Sequence, residues 1–513
     1  MTNPKFIKKI NTKFNLSYSK HIYPKYLTKK LPTQQSIIEK ITDICKIHNR
    51  ILIDTPCITI DPPGCKDADD GFCLYKLDNR LYLAIHIADP TCYIDSSSDY
   101  FDSICKNSIT HYPSMHMPIH LLPDNIVKES SLSTNGSTSE IKKAVSVITE
   151  IDTITFKPIN KPQLQFTNIK ILKNNNFTYE NASKFVNYNN SFKYLITINQ
   201  NKVMYNVESF DIDTSINLAY IISQVMKESR ITIGKSLSYN MSNIRYINGV
   251  PELYNDPEQV KCMKEMIAEF AIFSNTFVGE YLSEHSKEDS KSLGIYRMCD
   301  ASDLKMDLEN LTMVGDKLMD KIIKSNISAK YTPNEKSHDL VGSMKYTHFT
   351  SPIRRASDCI CHFLLKYIYL KKIDPATIPP FTDEKLKTFV NIIDIQTKIE
   401  KKLQHADNKF RTIQALANIV VLKSNANISL MYNGFANAKT NYLNLKIKKI
   451  NKFNVSISLT LKINKNVERV IEHFKRFNDD NLLTINIQYV NVPRRYDDDI
   501  LPDLQKYIQK ITN

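Results

Sequence analysis

The chain has 513 residues, of which 42% are hydrophobic and 24% charged, an ordinary globular composition that excludes wholesale disorder and fibrous repeats. Lysine and arginine number 68 against 54 acidic residues, and the resulting net charge of +14 favours a polyanionic partner. Apolar runs such as Leu218 to Ile222 fall far short of the roughly 18 residues of a membrane span, so no membrane partner is expected.

Ten cysteines include no C-x-x-C pair, so reduced thiols are expected rather than a zinc ribbon or disulfide framework. No secretory layout opens the sequence, whose first arginine is Arg50, and a cytoplasmic or otherwise intracellular location is expected. Residues 1–32 carry eight lysines, no acid and five aromatics. That mixture suits either phosphate contacts with base stacking or a plain solvated terminus. A helix is expected over Ser36 to His48, with Ile37, Ile38, Ile41, Ile44 and Cys45 on one stripe.

From Cys57 the period becomes two. Phe72 to Leu77 and Leu81 to Ile87 flank Asp78-Asn79, which predicts a hairpin with Leu81, Leu83, Ile85 and Ile87 on one face. Ser215 to Gly234 and Pro257 to Ser286 read as helical. Further helices are expected from Thr382 to about Lys423, after the break at Ile378-Pro379-Pro380. The tail alternates again through Leu443, Leu445, Ile447, then Phe453 to Ile463, then Leu483 to Tyr489. This pattern fits an oligonucleotide-binding barrel or a structural sandwich.

Four carboxylates, Asp61, Asp67, Asp69 and Asp70, lie within ten residues directly after a predicted strand. Gathering four anions is costly unless a cation neutralises them, and oxygen-only donors point to magnesium or manganese. Two such ions about 4 Å apart make a phosphodiester-cleaving centre. A calcium loop fails, because neither register supplies the glycine and glutamate it requires. An acidic surface turn accounts for this segment taken alone.

A second motif runs from His348 to Asp358, with Thr350-Ser351-Pro352-Ile353-Arg354-Arg355 at its centre. Ser351 and Pro352 predict a helix start, and Ile353, Ala356, Ile360 and Leu364 would face the core. Two arginines in a first turn oppose the helix dipole, which makes sense if a phosphate sits there. The alternative is that they bridge to Asp358 or other carboxylates. His86, His111, His116 and His120 do not have zinc-helix spacing, since Pro118 interrupts the last pair. No phosphate-cradling glycine loop occurs, so ATP-driven unwinding is not expected.

Together, T-I-D-x-x-x-x-x-D-x-D-D and H-F-T-S-P-I-R-R-x-x-D resemble the RNB catalytic domain of the ribonuclease II family. Supporting stretches follow in order: Leu83 to Asp89, Asn107 to Pro113, Met117 to Pro123, Ser131-Leu132-Ser133, Glu269-Phe270 with Asn275, and Ile295-Tyr296-Arg297. The resemblance covers roughly residues 50–405. It implies an α+β (mixed α/β) fold with an RNB-type catalytic domain and a small C-terminal all-β, OB-like module. The expected layout is a basic arm and helix over 1–49, the catalytic domain over 50–405, a helical connection over 406–425 and the β module over 426–513.

The resemblance further implies a monomeric, magnesium-dependent 3′-to-5′ exoribonuclease that degrades single-stranded RNA processively to nucleoside 5′-monophosphates. Asp61, Asp67, Asp69 and Asp70 would hold two Mg2+ ions, with Mn2+ able to substitute, one activating water and one stabilising the departing oxygen. Arg354 would stabilise charge on the scissile phosphate and Arg355 would hold the adjoining backbone. Tyr112 would stack on a terminal nucleotide, and Glu269 and Arg297 would contact that nucleotide or line the tunnel, unless they form buried structural pairs. The family's usual aromatic after the paired arginines is Ala356 here, its alanine after the last aspartate is Gly71, and a lysine (Lys142 or Lys143) stands where arginine is usual. About fifty residues ahead of the domain cannot hold the paired cold-shock barrels of ribonuclease II, and the arm and C-terminal module are the expected substitutes. Two other classes share the motifs: a protein that keeps the shell to hold RNA without turnover, and a DNA-directed two-metal nuclease.

Overall fold

The computed structural model describes residues 43–113, 117–134, 136–186, 210–231, 241–289, 294–302, 327–435, 442–463, 466–477, 481–491 and 501–512. The basic arm, His116 and the first part of the expected helix at Ser36 lie outside them. Five strands, β1 (Ile51–Asp61), β2 (Asp70–Leu77), β3 (Arg80–Ala88), β4 (Ser139–Ile151) and β5 (Gln163–Thr178), close into a barrel in that order. Neighbours run antiparallel except β1 and β5, which close the barrel in parallel.

The β2–β3 hairpin turns at Asp78 and Asn79, whose φ values of 49° and 62° give the left-handed pair that a two-residue hairpin requires. Leu81, Leu83, Ile85 and Ile87 are all buried as predicted. On the opposite face of β3, Ala84 and His86 are buried as well.

Residues 43–48 are irregular rather than helical, a correction to the expected helix. Tertiary and local partners take their donors: Ile44 N–H reaches the Cys92 carbonyl at 2.9 Å, and Cys45 N–H reaches the Asp43 carboxylate at 2.9 Å.

Helices surround the barrel: α1 (Asp99–Asn107), α2 (Asp124–Ser130), α3 (Ile212–Ile231), α4 (Glu258–Asp289), α5 (Ala356–Ile373) and α6 (Asp383–Lys423). They share one apolar core with the barrel, and Ile353, Ala356, Ile360 and Leu364 all lie in it. A hairpin of β6 (Asn243–Ile247) and β7 (Val250–Tyr254) precedes α4, and β8 (Tyr296–Met298) pairs with β9 (Lys330–Thr332).

The stretch read as several helices from Thr382 is one 41-residue rod, about 60 Å long at the usual rise. Its first half packs Phe389 against Phe101 of α1, while Ile413, Leu416 and Val420 near its end join a second core. The rod runs unbroken past residue 405, so the expected connection is its continuation.

That second core belongs to β10 (Ala426–Phe435), β11 (Tyr442–Ile450), β12 (Phe453–Lys462) and β13 (Leu483–Ile487), an antiparallel sheet ordered β12-β11-β10-β13. Leu443, Leu445, Ile447, Val455, Ile457, Leu459, Leu461, Leu483, Ile485 and Ile487 form its buried face, whereas Tyr489, the last of the alternating tail residues, is exposed. The module also contains α7 (Val467–Lys475) and α8 (Pro502–Thr512), whose Val470, Phe474, Leu504 and Ile508 complete the core. A three-strand meander, a helix and a returning strand give the OB-like order. No helix among the described residues is long and apolar enough to cross a membrane.

Candidate active site

The acidic loop is shaped by its own sequence. Pro63 and Gly64 occupy the middle of a tight turn in which Cys65 N–H donates to the Pro62 carbonyl at 3.1 Å, and Gly64 takes φ +80°, a value proper to glycine. Downstream, Ala68 N–H donates to Ser131 Oγ at 3.0 Å and the Ala68 carbonyl accepts from Leu132 N–H at 2.9 Å. Ser131-Leu132-Ser133 therefore acts as a clamp on the loop.

All four aspartates, together with Tyr112 and Arg354, line one cavity of about 710 Å³. Asp69 is the most enclosed of the four, 3% exposed, and accepts from Ile353 N–H at 2.8 Å and Arg354 Nε at 2.9 Å. A second guanidinium nitrogen of Arg354 donates to Ser351 Oγ at 2.9 Å, yet its side chain remains 45% exposed toward the cavity. Tyr112 donates its hydroxyl to Asp67 at 2.6 Å, and the Cys65 thiol lies 3.7 Å from Asp61 and 3.5 Å from Asp67.

The electrostatics fit a divalent cation. Burial, reinforced by Asp70, pushes Asp61 up to about 7 and Asp69 up to about 8, and burial alone pushes Asp70 up to about 6, despite the opposing pull of Arg354. Among the described residues Arg354 is the one cation bonded to the four carboxyl groups, and although Lys66 and Lys264 also line the cavity, the anionic oxygens gathered there suit a hard divalent ion.

The paired arginines have different partners. Arg355 puts Nε and Nη2 on Asp358 at 2.9 and 2.8 Å, and Asp358 also accepts from Ser351 N–H at 2.8 Å. Arg355 does not line the cavity. The predicted helix start also moves, since Ser351 and Pro352 fall in a turn and α5 begins at Ala356 with Arg355 as its extended N-cap. The cause is pairing with the segment after α1: Thr110 N–H donates to the Arg354 carbonyl at 2.9 Å and Ala356 N–H to the Ser108 carbonyl at 2.9 Å.

Glu269 is a buried pair with Arg230 of α3, and Arg297 is buried over the Tyr331 ring at 4.4 Å with Asp394 4.0 Å away. Neither lines the cavity. Lys142 is tied to Glu140 and the carbonyls of Lys128 and Glu129, and Lys143 to Asp43. Lys264, Ile267, Ala268 and Ala271 of α4 form the opposite cavity wall, with Tyr179 beside them. The sequence reading missed this wall, although its i, i+3, i+4, i+7 spacing and two alanines are the signal of a helix face left clear.

A family model described as the RNB domain matches residues 50–371. The chain belongs to the RNB-domain family. Ribonuclease R of Helicobacter pylori is 26% identical over 351 residues, covering 61% of this chain and 48% of that protein. The chain spans about half the length of the curated relatives it matches. Among solved structures, Mycoplasma genitalium RNase R in complex with ribose methylated single-stranded RNA superposes with a TM-score of 0.56 at 17% identity, covering 82% of this chain and 70% of that one. Yeast Ssd1, described as a pseudonuclease, superposes with a TM-score of 0.54 at 14% identity, covering 82% of this chain and 52% of that one. The RNB fold thus occurs both in ribonucleases and in a protein described as lacking nuclease activity, and the chemistry of the cavity has to decide between them.

Proposed function

We propose that this RNB-domain protein is a magnesium-dependent 3′-to-5′ exoribonuclease that hydrolyses single-stranded RNA processively to nucleoside 5′-monophosphates. The support is the convergence of Asp61, Asp67, Asp69, Asp70 and Arg354 on one cavity. A scaffold that only held RNA would gain nothing from keeping four desolvated carboxyl groups together. Asp61, Asp67, Asp69 and Asp70 would hold two magnesium ions, which manganese can replace, and these supply an activated water and charge neutralisation at the scissile phosphate.

Arg354 is fixed at two nitrogens and open to the cavity, so it is set to receive negative charge growing on a phosphate without reorganising. The Tyr112 ring, 41% exposed and held through its hydroxyl, offers a stacking surface that any base can use. The single-stranded RNA bound by the Mycoplasma relative supports the same substrate here.

The test is end-labelled single-stranded RNA and DNA with magnesium, comparing wild type with Asp70→Asn, which leaves the Asp69–Arg354 link untouched. The expected products are monophosphates from RNA alone, with none in EDTA or from the variant, and a trap strand added after binding leaves chains already engaged to run to completion. RNA binding without turnover by the wild type would assign the protein to the pseudonuclease class. Equal digestion of DNA would overturn the substrate.

A further inference from the structure

Away from the cavity, a cluster behind the barrel has a charge imbalance. Arg50 Nη2 donates to Asp89 Oδ2 at 2.6 Å and Lys366 Nζ lies 2.9 Å from Asp89 Oδ1, with the three side chains 3%, 9% and 0% exposed in the order Arg50, Lys366, Asp89. Two buried cations against one carboxylate leave one positive charge, and no second carboxylate bonds either cation among the described residues. Asp43 is held by Lys143 instead. Buried Arg50 Nε has no hydrogen-bond partner among the described residues.

The other groups that reach the cations include neutral oxygens, the Ala144 carbonyl at 2.9 Å from Arg50 Nη1 and Thr91 Oγ1 at 2.7 Å from Lys366 Nζ, and two sulfurs. Arg50 Nη2 lies 3.0 Å from Cys92 Sγ and 3.7 Å from Cys45 Sγ, and Lys366 Nζ lies 3.5 Å from Cys92 Sγ. The two sulfurs are within 4.8 Å of each other, and Ile44 N–H on the Cys92 carbonyl at 2.9 Å keeps the two backbones adjacent. An unbalanced buried cation beside two thiols is neutralised at least cost by a thiolate.

The geometry points to Cys45 and Cys92 as a peroxide-reactive dithiol, in which Cys45 is the attacked sulfur and Cys92 resolves it into a reversible disulfide. Cys45 is the more accessible of the two, Cys92 being fully buried. The hydrogen bond from Cys92, followed by the charge of Lys366, lowers the Cys45 thiol against its burial, while burial raises the Cys92 thiol, which also lies 3.1 Å from Asp89 Oδ2. The Cys45 thiolate attacks the outer oxygen of a hydroperoxide, the O–O bond breaks, and the leaving oxygen takes a proton and departs as an alcohol or water. The Cys92 sulfur then displaces hydroxide from the Cys45 sulfenic acid, its own proton leaving with that hydroxide as water. Two thiols are oxidised and one peroxide is reduced, with no other co-reactant.

Asp43, Cys45 and Cys92 also have the spacing of a metal-ligand trio. Arg50, Lys366 and Lys143 crowd the same point, and three cations oppose a divalent one.

The experiment treats the reduced full chain with one equivalent of hydrogen peroxide, then alkylates, digests and maps it by mass spectrometry. The expected product is a Cys45–Cys92 cross-linked peptide that dithiothreitol reverses, and in Cys92→Ser a dimedone adduct at Cys45. In untreated wild type near pH 6, Cys45 should alkylate on the order of tenfold faster than the partly exposed Cys262. This rate tests the thiolate even if the variant misfolds. Equal rates, oxidation falling on Cys65 or Cys262 instead, or stoichiometric zinc that blocks the cross-link would each overturn the proposal. None of these readouts involves RNA turnover, so the outcome is independent of the exoribonuclease reading.

Discussion

Arg354 Nε donates to Asp69 Oδ2 at 2.9 Å while Ile353 N–H, one residue earlier, holds Asp69 Oδ1 at 2.8 Å. One carboxylate from the acidic loop is therefore gripped at both oxygens by the turn that carries the arginine. The two motifs, distant in sequence, form one rigid joint whose free side is the cavity.

Replacing Arg354 by lysine keeps a positive charge but loses the fork that reaches Asp69 and Ser351 together. Turnover of RNA is expected to fall on the order of 10²- to 10³-fold with affinity nearly unchanged, the pattern of a group acting on the transition state. Single-turnover kinetics alongside equilibrium binding would check it. An equal loss in both would mean that Arg354 only holds substrate.

The raised aspartates give a pH prediction with a defined sign. Asp61 ionises at about 7 in the folded, metal-free protein against 3.8 for the free side chain, so the folded state binds more protons across that window and loses stability as pH rises through it. Asp61→Asn removes that cost, and comparing it with wild type cancels the contributions of the buried histidines. In EDTA the Tm of the variant should exceed that of wild type by a margin that grows from about pH 5 to about pH 8. In excess magnesium the order should reverse, because the variant has lost a ligand. A margin that stays constant over that range in EDTA would show that Asp61 is already charged in the empty site.

Gly71 is a packing requirement. A Cβ there would lie 2.5 Å from Cys57 Sγ and 2.9 Å from the Ile58 carbonyl, because β2 crosses β1 at close range. Although the resemblance makes alanine the usual residue, Gly71→Ala is expected to cost about 1–3 kcal/mol through overpacking. The denaturant midpoint should drop at constant m-value. An unchanged midpoint would mean that the strands separate freely.

Much of this was legible in the chain because its determinants are local. Asp78-Asn79 specifies its turn within two residues, Pro63-Gly64 specifies another, and the aspartate spacing needs only a strand end and a bend to converge. What was illegible depends on partners far away in sequence. Arg230 and Val341 decide that Glu269 is part of the scaffold, since Arg230 bonds both of them. Pairing of Ser108 and Thr110 with the residues around Arg355 shifts the start of α5, and nothing near Ser351 reports it. The tail's helices α7 and α8 are short and amphipathic, and they were lost behind the stronger two-residue alternation of the strands.

Tyr112 separates a ring function from a hydroxyl function. Its hydroxyl is committed to Asp67 at 2.6 Å and its ring faces the cavity. Tyr112→Phe should bind single-stranded RNA as wild type does, whereas Tyr112→Ala should lose about 1–3 kcal/mol of binding, the worth of one base stacked on an aromatic ring. Fluorescence anisotropy with labelled oligonucleotides in EDTA measures this without turnover. Equal losses in the two variants would move the role to the hydroxyl.

Arg355 and Asp358 form a bidentate pair in which the carboxylate is fully buried, and that carboxylate also accepts from Ser351 N–H and Ser357 Oγ. The pair holds the turn carrying Arg354 onto the first turn of α5. Arg355→Ala strands a buried carboxylate, and the expected cost is about 3–5 kcal/mol of stability. RNA affinity of the remaining folded fraction should keep the wild-type salt slope, since no phosphate contact has been removed. Calorimetric unfolding and a salt titration of RNA binding together decide the matter. A variant that melts like wild type but binds RNA with a shallower salt slope would return Arg355 to the substrate.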